Sequence, residues 1–426
     1  MADPSTSLSL TRASVIEAHK LIKAHVHRTP TLTNATLNRL ASTPRTYKGD
    51  GTEGRKKAAS PKIRLYFKCE NLQRIGAFKI RGAFHAIERL SRDEEWVKAG
   101  GRERGVVTHS SGNHAQALAL AAREYGIPAH IVMPKISAAP KIAATKGYGA
   151  HVIFSGSTSV EREAVVEEVI KETGARLVPP YDHPDIMLGQ GTLGLELMED
   201  AGGLIAAFTE NDGEGNKGDG EVGSGSEAKF NFTAPTTRPS SSIPSHKRPG
   251  SGGTGKPALD AILAPCGGGG MLSGVALSAE GTGTRIFGCE PSFQGADDAK
   301  RGYESGSRIP AVSSLTVADG LRTPVGIYPW GIIYERKLVK GFYSVTDEQI
   351  IAAMKLMFER FKMVVEPSGA VSLAVALFNE EFRSVVEKEG GEDGWDVGLV
   401  VSGGNVSLEA LGELFKVKEG GEDLGL

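Results

Sequence analysis

The residues best suited to covalent chemistry lie in Gly76-Ala77-Phe78-Lys79-Ile80-Arg81-Gly82-Ala83. One lysine sits between glycines and is boxed by Phe78 and Ile80, after a strand-like run and before a helix-like one. An amine held in apolar, restricted surroundings loses its proton more readily, which is what a Schiff-base lysine requires. Alone, the pattern equally describes a surface lysine at a helix start. The decision rests on whether other segments supply something for the lysine to bond.

Gly267-Gly268-Gly269-Gly270 is such a segment, placed between the apolar run Leu259 to Ala264 and the helical pattern Met271 to Glu280. Residues without Cβ atoms can turn successive N–H groups towards one oxyanion, and a helix N-terminus adds partial positive charge. The pattern reads as a phosphate cup, with a flexible turn as the alternative. Met271-Leu272-Ser273 stands where a P-loop places Lys-Ser/Thr, and the glycines do not fit GxGxxG. Ser110-Ser111-Gly112-Asn113-His114 and Ser402-Gly403-Gly404-Asn405 are polar turns after two further apolar runs. The first offers hydroxyls, an amide and helix N–H groups to a carboxylate or a ring hydroxyl, although each alone also suits a structural cap. In open α/β sheets ligands gather at the carboxyl ends of strands, so three such turns and a lysine form a constellation.

Glu290-Pro291-Ser292 and Asp297-Asp298 gather oxygen donors suited to Mg²⁺ or Ca²⁺, or simply to solvent. The ten histidines show no zinc spacing, and no Ser-His-Asp order is identifiable. A formal net charge of -2 argues against nucleic acid as a partner. Cys69, Cys266 and Cys289 lack CxxC spacing and suggest buried thiols in a reducing compartment. No apolar run has the length of a membrane span, and Met1 to Leu10 lacks a signal-peptide pattern, so a cytoplasmic protein is expected.

These residues need elements to hold them. Val15, Ala18, Ile22 and Val26 recur near the helical period, and Ile63 to Cys69 alternates as a strand. From Phe78 to Val178 strands and helices alternate, and the apolar run at Asp396 to Val401 supplies a last strand before a closing helix. That order implies an α/β fold with parallel sheets covered on both faces. Residues 43–61 are basic and Gly-rich and read as an exposed loop insertion. Residues 202–256 carry too few apolar groups to offset their ordering entropy and read as a disordered insertion. The expected division is a large unit, 1–104 plus 182–426, and a small mobile one, 105–181.

In this order the motifs resemble those of fold-type II pyridoxal-phosphate (PLP) enzymes, of the tryptophan synthase β-like architecture with the cofactor between two α/β domains. Within them the likeness is to the serine racemase and serine/threonine dehydratase group, over nearly the whole chain outside 43–61 and 202–256. The resemblance implies that Lys79 forms the Schiff base with PLP, beside Phe78. Asn113 would hold the ring 3-hydroxyl, Gly267 to Gly270 and Met271 the phosphate, and Ser402 the pyridine nitrogen, with Glu366 also facing the cofactor. Lys79 would act as base on one face of Cα and Ser111 on the other. Ser110, Ser111 and Asn113 would hold the substrate carboxylate, and Arg162, Arg322 and Thr323 its far side. Glu290, Ala296 (through its carbonyl) and Asp298 would bind the divalent cation, and the assembly would be a homodimer. Glu290…Asp298, Ala318-Asp319-Gly320 and Glu366-Pro367-Ser368-Gly369 point to the metal-binding racemase branch.

The expected reaction is racemisation and/or β-elimination of a β-hydroxy amino acid, such as serine, threonine or 3-hydroxyaspartate. The chain departs from the racemases at Ile75 and Ala77, near a segment that contacts ATP in them, and by the extra Phe293-Gln294-Gly295 in the acidic loop. β-Replacement of the cysteine synthase type, and a PLP-binding protein without catalysis, stay open as alternatives.

Overall fold

A computed structural model describes residues 4–45, 58–110, 112–137, 139–214 and 257–416. Ser111, and residues 46–57 and 215–256 of the two predicted insertions, lie outside the described residues.

Two sheets carry the architecture. The first has the order β1-β2-β10-β7-β8-β9. Its strands are β1 (Thr31–Leu32), β2 (Ile63–Cys69), β7 (Ala261–Pro265), β8 (Arg285–Pro291), β9 (Val339–Val345) and β10 (Trp395–Val401). All pairs are parallel except β1 with β2. The second sheet, β5-β4-β3-β6, is parallel throughout and comprises β3 (Val106–His109), β4 (Ala129–Pro134), β5 (His151–Ser155) and β6 (Arg176–Leu177).

Strand periodicity explains why the first sheet is buried on both faces. Leu65, Phe67, Leu263, Val397 and Leu399 point into one apolar cluster, while the intervening Tyr66, Ile262, Ala264 and Val400 point into another. Each face therefore removes a full set of side chains from water. The helix Pro367–Phe378, buried along its length, covers the first face. The helices Pro184–Glu214 and Gly270–Ala279 cover the second. A Cβ at Gly191 would lie 2.5 Å from the Gly274 carbonyl oxygen, so these two helices cross at backbone distance, which only glycine permits.

The structure corrects the sequence reading at three places. Residues 202–214, expected to lack order, continue the helix Pro184–Glu214. Gly202-Gly203 resembles a break, but Leu204 and Ile205 carry on the apolar stripe of Leu197 and Ala201, and burial outweighs a glycine cost of about 1 kcal/mol each. The described ends of the loop 43–61 are anchored through Arg45 and Ala59, while Thr43, Pro44 and Ser60 are exposed. Arg45 is buried and donates to the Leu377 carbonyl (2.6 Å), and Arg383 donates to the carbonyls of Thr43 (2.7 Å) and Ala59 (3.0 Å). Strand β9, interrupted by Lys340-Gly341, has no clean alternation and is recognisable only from its pairing with β8.

Candidate active site

The lysine turn is built around a strained residue. Ile75 has φ 59°, a left-handed conformation that its branched Cβ opposes. Asn405 holds it there by donating from Nδ2 to the Ile75 carbonyl at 2.7 Å. Next along the chain, Gly404 donates to the Gly76 carbonyl (2.9 Å), Ala77 bridges Gly403, and Phe78 donates to the Ser402 carbonyl (3.1 Å). The Ser402–Asn405 turn thus forms a template on which the lysine turn is laid. Lys79 opens the helix Lys79–Ser91, and its Nζ donates to the Pro180 carbonyl at 2.8 Å. Burial lowers its pKa to about 8, so a neutral, nucleophilic amine is accessible near neutral pH. Its Nζ also lies 5.1 Å from the centre of the Phe78 ring.

The tetraglycine follows β7 and opens the helix Gly270–Ala279. Among the described residues, none of the N–H groups from Gly267 to Leu272 has an acceptor. A Cβ at Gly268 would run into the Tyr181 ring, and one at Gly270 would lie 2.8 Å from the Tyr181 carbonyl oxygen. Gly269 is left-handed at φ 83° and packs on Pro329 and Val325. Both side-chain polar atoms of the buried Gln190, beside Gly270, also lack a partner. A ring of unpaired donors, kept free of side chains and next to a weakly basic lysine, fits the phosphate and aldehyde of PLP.

Three side chains lock the opposite wall. Asn113 donates from Nδ2 to Glu366 Oε1 (2.9 Å) and accepts at Oδ1 from Asn405 (2.8 Å). Burial, with help from Asp319, pushes Glu366 up to about 7. A Cβ at Gly403 would lie 2.5 Å from Glu366 Oε1, which is why that turn position is glycine. Ser402 is buried next to this group. Ser110 Oγ accepts from the Gly112 N–H at 3.3 Å, closing the turn after β3. His114 is buried and pushed down to about 3 by burial and by Lys79, so it is neutral; its Nε2 lies 3.2 Å from the Val178 carbonyl oxygen.

The residues expected on the substrate's far side are more dispersed. Thr323 borders the cup, its Oγ1 3.3 Å from a Cβ built on Gly267. Arg322 donates through Nε (2.9 Å) and a terminal nitrogen (2.5 Å) to the Thr316 carbonyl. Arg162 bonds the Ser157 carbonyl (2.9 Å), and burial, followed by the Arg162 charge, lowers the pKa of His109, at the end of β3. Across from them, Lys141 and Asp319 pair at 2.6 Å, joining the helix Ala139–Gly147 to the Ala318-Asp319-Gly320 turn.

In the acidic loop Glu290 is fully buried and accepts from the N–H groups of Ala299 (3.0 Å) and Lys300 (2.8 Å). Burial, and then the neighbouring Asp298, push it well above the usual carboxylate range. Burial likewise pushes Asp298 up to about 6. Ala296 is buried between them in sequence. Two buried carboxylates that repel each other favour a proton or a cation. Among the described residues no group of three His, Cys, Asp or Glu side chains could hold a metal, so a cation here would also need backbone oxygens.

Several residues at the site escaped the sequence reading. Asn405 lay in a recognised turn, but its role depends on which strand ends meet. Pro180, Tyr181, Asp182 and Gln190 carry no motif of their own.

A lysine turn templated on one glycine-rich turn and facing a second, free glycine cup defines a fold-type II PLP enzyme. The profile of the pyridoxal-phosphate dependent enzymes matches residues 54–216 and 253–403, and the chain belongs to that family. It is 35% identical over 415 residues to the L-threo-3-hydroxyaspartate ammonia-lyase of Saccharomyces cerevisiae, covering 96% of this chain and 98% of that one. It is 37% identical to the serine racemase of Arabidopsis thaliana over 95% of both chains. The maize serine racemase structure superposes with a TM-score of 0.70 at 34% identity, covering 95% of this chain and 96% of that one. Among the described residues no helix is long and apolar enough to cross a membrane.

Proposed function

We propose that the chain catalyses β-elimination and racemisation of β-hydroxy amino acids, with PLP carried on Lys79. The observation that carries this reading is the continuity from the Lys79 amine to Pro180, and from the adjoining Tyr181 to the glycine cup. PLP, when bound, supplies an electron sink that acidifies Cα–H and lets the β-hydroxyl leave. The chain's residues do the rest. Lys79, with its pKa near 8, takes the Cα proton on one face. Ser111, by resemblance, exchanges a proton on the other. Asn113, fixed by Glu366 and Asn405, presents its amide to the ring hydroxyl, and Ser110 and Asn113 hold the substrate carboxylate. Ser402 would meet the pyridine nitrogen, and Gly267 to Met271 would hold the phosphate. Elimination removes water from the substrate, and hydrolysis returns it, giving a 2-keto acid and ammonia. Return of a proton from the opposite face gives the other enantiomer.

The named activities of the yeast and plant relatives make serine and 3-hydroxyaspartate the leading substrates. By resemblance, Arg162, Arg322 and Thr323 would read a second carboxylate. The same proposal includes Mg²⁺ or Ca²⁺ at Glu290, Ala296 and Asp298, supported by two buried carboxylates with raised pKa values. It also includes a homodimer, a small mobile unit at 105–181 supported by its separate sheet, and a cytoplasmic location supported by three free cysteines.

The test incubates PLP-loaded protein with L-serine, D-serine, L-threonine and 3-hydroxyaspartate, with and without EDTA, and measures 2-keto acid and enantiomer. Turnover of at least one β-hydroxy amino acid is expected. Turnover only of O-acetylserine with sulfide would transfer the chain to β-replacement.

A further inference from the structure

Three consecutive residues, Pro180, Tyr181 and Asp182, touch three different parts of the cofactor site. The Pro180 carbonyl accepts from Lys79 Nζ at 2.8 Å. The Tyr181 ring lies flat against the space a Cβ would take at Gly268. The Asp182 carboxylate accepts from two successive N–H groups, Ile327 through Oδ2 and Tyr328 through Oδ1, each at 2.9 Å.

The segment Asp182 grips is the outer wall of the cup. Gly326 donates to the Gly268 carbonyl at 3.1 Å, turning that peptide so that its oxygen faces the wall. Val325 and Pro329 pack on Gly269. The wall's other end is fixed where Val325 donates to Asp298 at 3.2 Å. Asp182 therefore stands between the crossover that carries the lysine's acceptor and the wall that orients the cup. The fit is close, since a Cβ at Gly326 would lie 2.5 Å from Asp182 Cγ although Gly326 itself has an ordinary φ of -70°.

We propose that Asp182 is a positioning residue that sets the orientation of the glycine cup, and with it the affinity for PLP, by clamping Gly326–Tyr328 to the crossover beneath Lys79. The bland alternative is that Asp182 only caps the short helix Ile327–Trp330. A cap alone would alter stability and leave cofactor affinity untouched. A clamp alters affinity because the peptides that donate to phosphate are the ones its partner segment holds.

The inference rests on PLP binding at this site but not on which amino acid is turned over. The experiment titrates PLP into the apo forms of wild type, Asp182→Ala, Asp182→Asn and Gly326→Ala. It follows absorbance of the bound cofactor, with the thermal midpoint of each apo form and backbone exchange over 325–330. Asp182→Ala should weaken PLP binding at least tenfold and speed exchange over 325–330. Asp182→Asn, which keeps one acceptor oxygen, should recover part of the loss. Gly326→Ala, which pushes on the same contact from the other side, should weaken binding in a chain whose Asp182 is intact. Affinities within twofold of wild type for Asp182→Ala or Gly326→Ala would overturn the proposal. So would a loss of affinity that merely follows a loss of folded apo protein. A wild type that binds PLP but turns over no hydroxy amino acid sinks the functional reading and leaves the clamp standing.

Discussion

Asn113 donates its side-chain N–H to the Glu366 carboxylate at 2.9 Å, joining the turn after β3 to the head of the helix Pro367–Phe378. Because Asn405 occupies the Asn113 oxygen at 2.8 Å, the amide has one orientation only. Burial holds Glu366 at about 7, above the value of 4.5 it has when exposed. The folded chain therefore keeps a proton that the unfolded chain has lost. Its stabilising effect is complete below about pH 4.5 and drains away as pH rises through about 7. Glu366→Gln, which mimics the protonated group, should gain about 1–3 kcal/mol over wild type at pH 8.5 and little at pH 4, where wild type is protonated in both states. Urea unfolding at the two pH values measures this, and an equal difference at both would contradict it.

The acidic loop predicts a pH-dependent response to cations. Asp298, at about 6, and the more strongly raised Glu290 hold protons that a cation must displace. Mg²⁺ or Ca²⁺ should raise the thermal midpoint of wild type more at pH 8 than at pH 5.5. Glu290→Gln with Asp298→Asn should remove the shift. A shift of wild-type size in that double variant would place the cation elsewhere.

Behind the lysine helix lies a buried charge cluster. Arg81 donates to Glu70 (2.8 Å through Nε and through a terminal nitrogen) and to Glu196 (3.0 and 2.7 Å), and Lys68 pairs with Glu196 at 2.8 Å. Removing the guanidinium leaves buried carboxylates uncompensated. Arg81→Met should cost about 3–5 kcal/mol in urea unfolding, and adding Glu70→Gln should return part of it. An additive loss in the double variant would mean that the two groups are not coupled.

Much of this site was legible in the sequence because its chemistry is concentrated in short, unusual strings. Four consecutive glycines after an apolar run, a lysine between glycines and two polar turns each announce a strand end. What could not be read is what depends on which strand ends meet. Asn405 reaches Asn113 only because β10 and β3, in different sheets, present their carboxyl ends to one another. Pro180 contributes a carbonyl, which every residue possesses, so no sequence signal could single it out. The helix through residues 202–214 was missed for the opposite reason, since a Gly-Gly pair signals a break unless the apolar stripe beyond it is known to have a surface to pack on.

The lowered basicity of Lys79 predicts how the apo chain takes up its cofactor. With the amine at about 8, the rate of PLP uptake should climb with pH and reach half its limit near that value. Stopped-flow absorbance gives the profile. A midpoint above 10, the ordinary range of lysine, would show that the amine is not desolvated in solution as it is in the structure.

The most direct measurement reduces the PLP-loaded protein with borohydride, digests it and locates the cofactor by mass. A pyridoxyl group on the peptide carrying Lys79, absent from Lys79→Ala, is the predicted result. A stable chromophore reduced onto another lysine, or none formed by folded wild-type protein with PLP, would contradict the assignment of Lys79 as the cofactor's anchor.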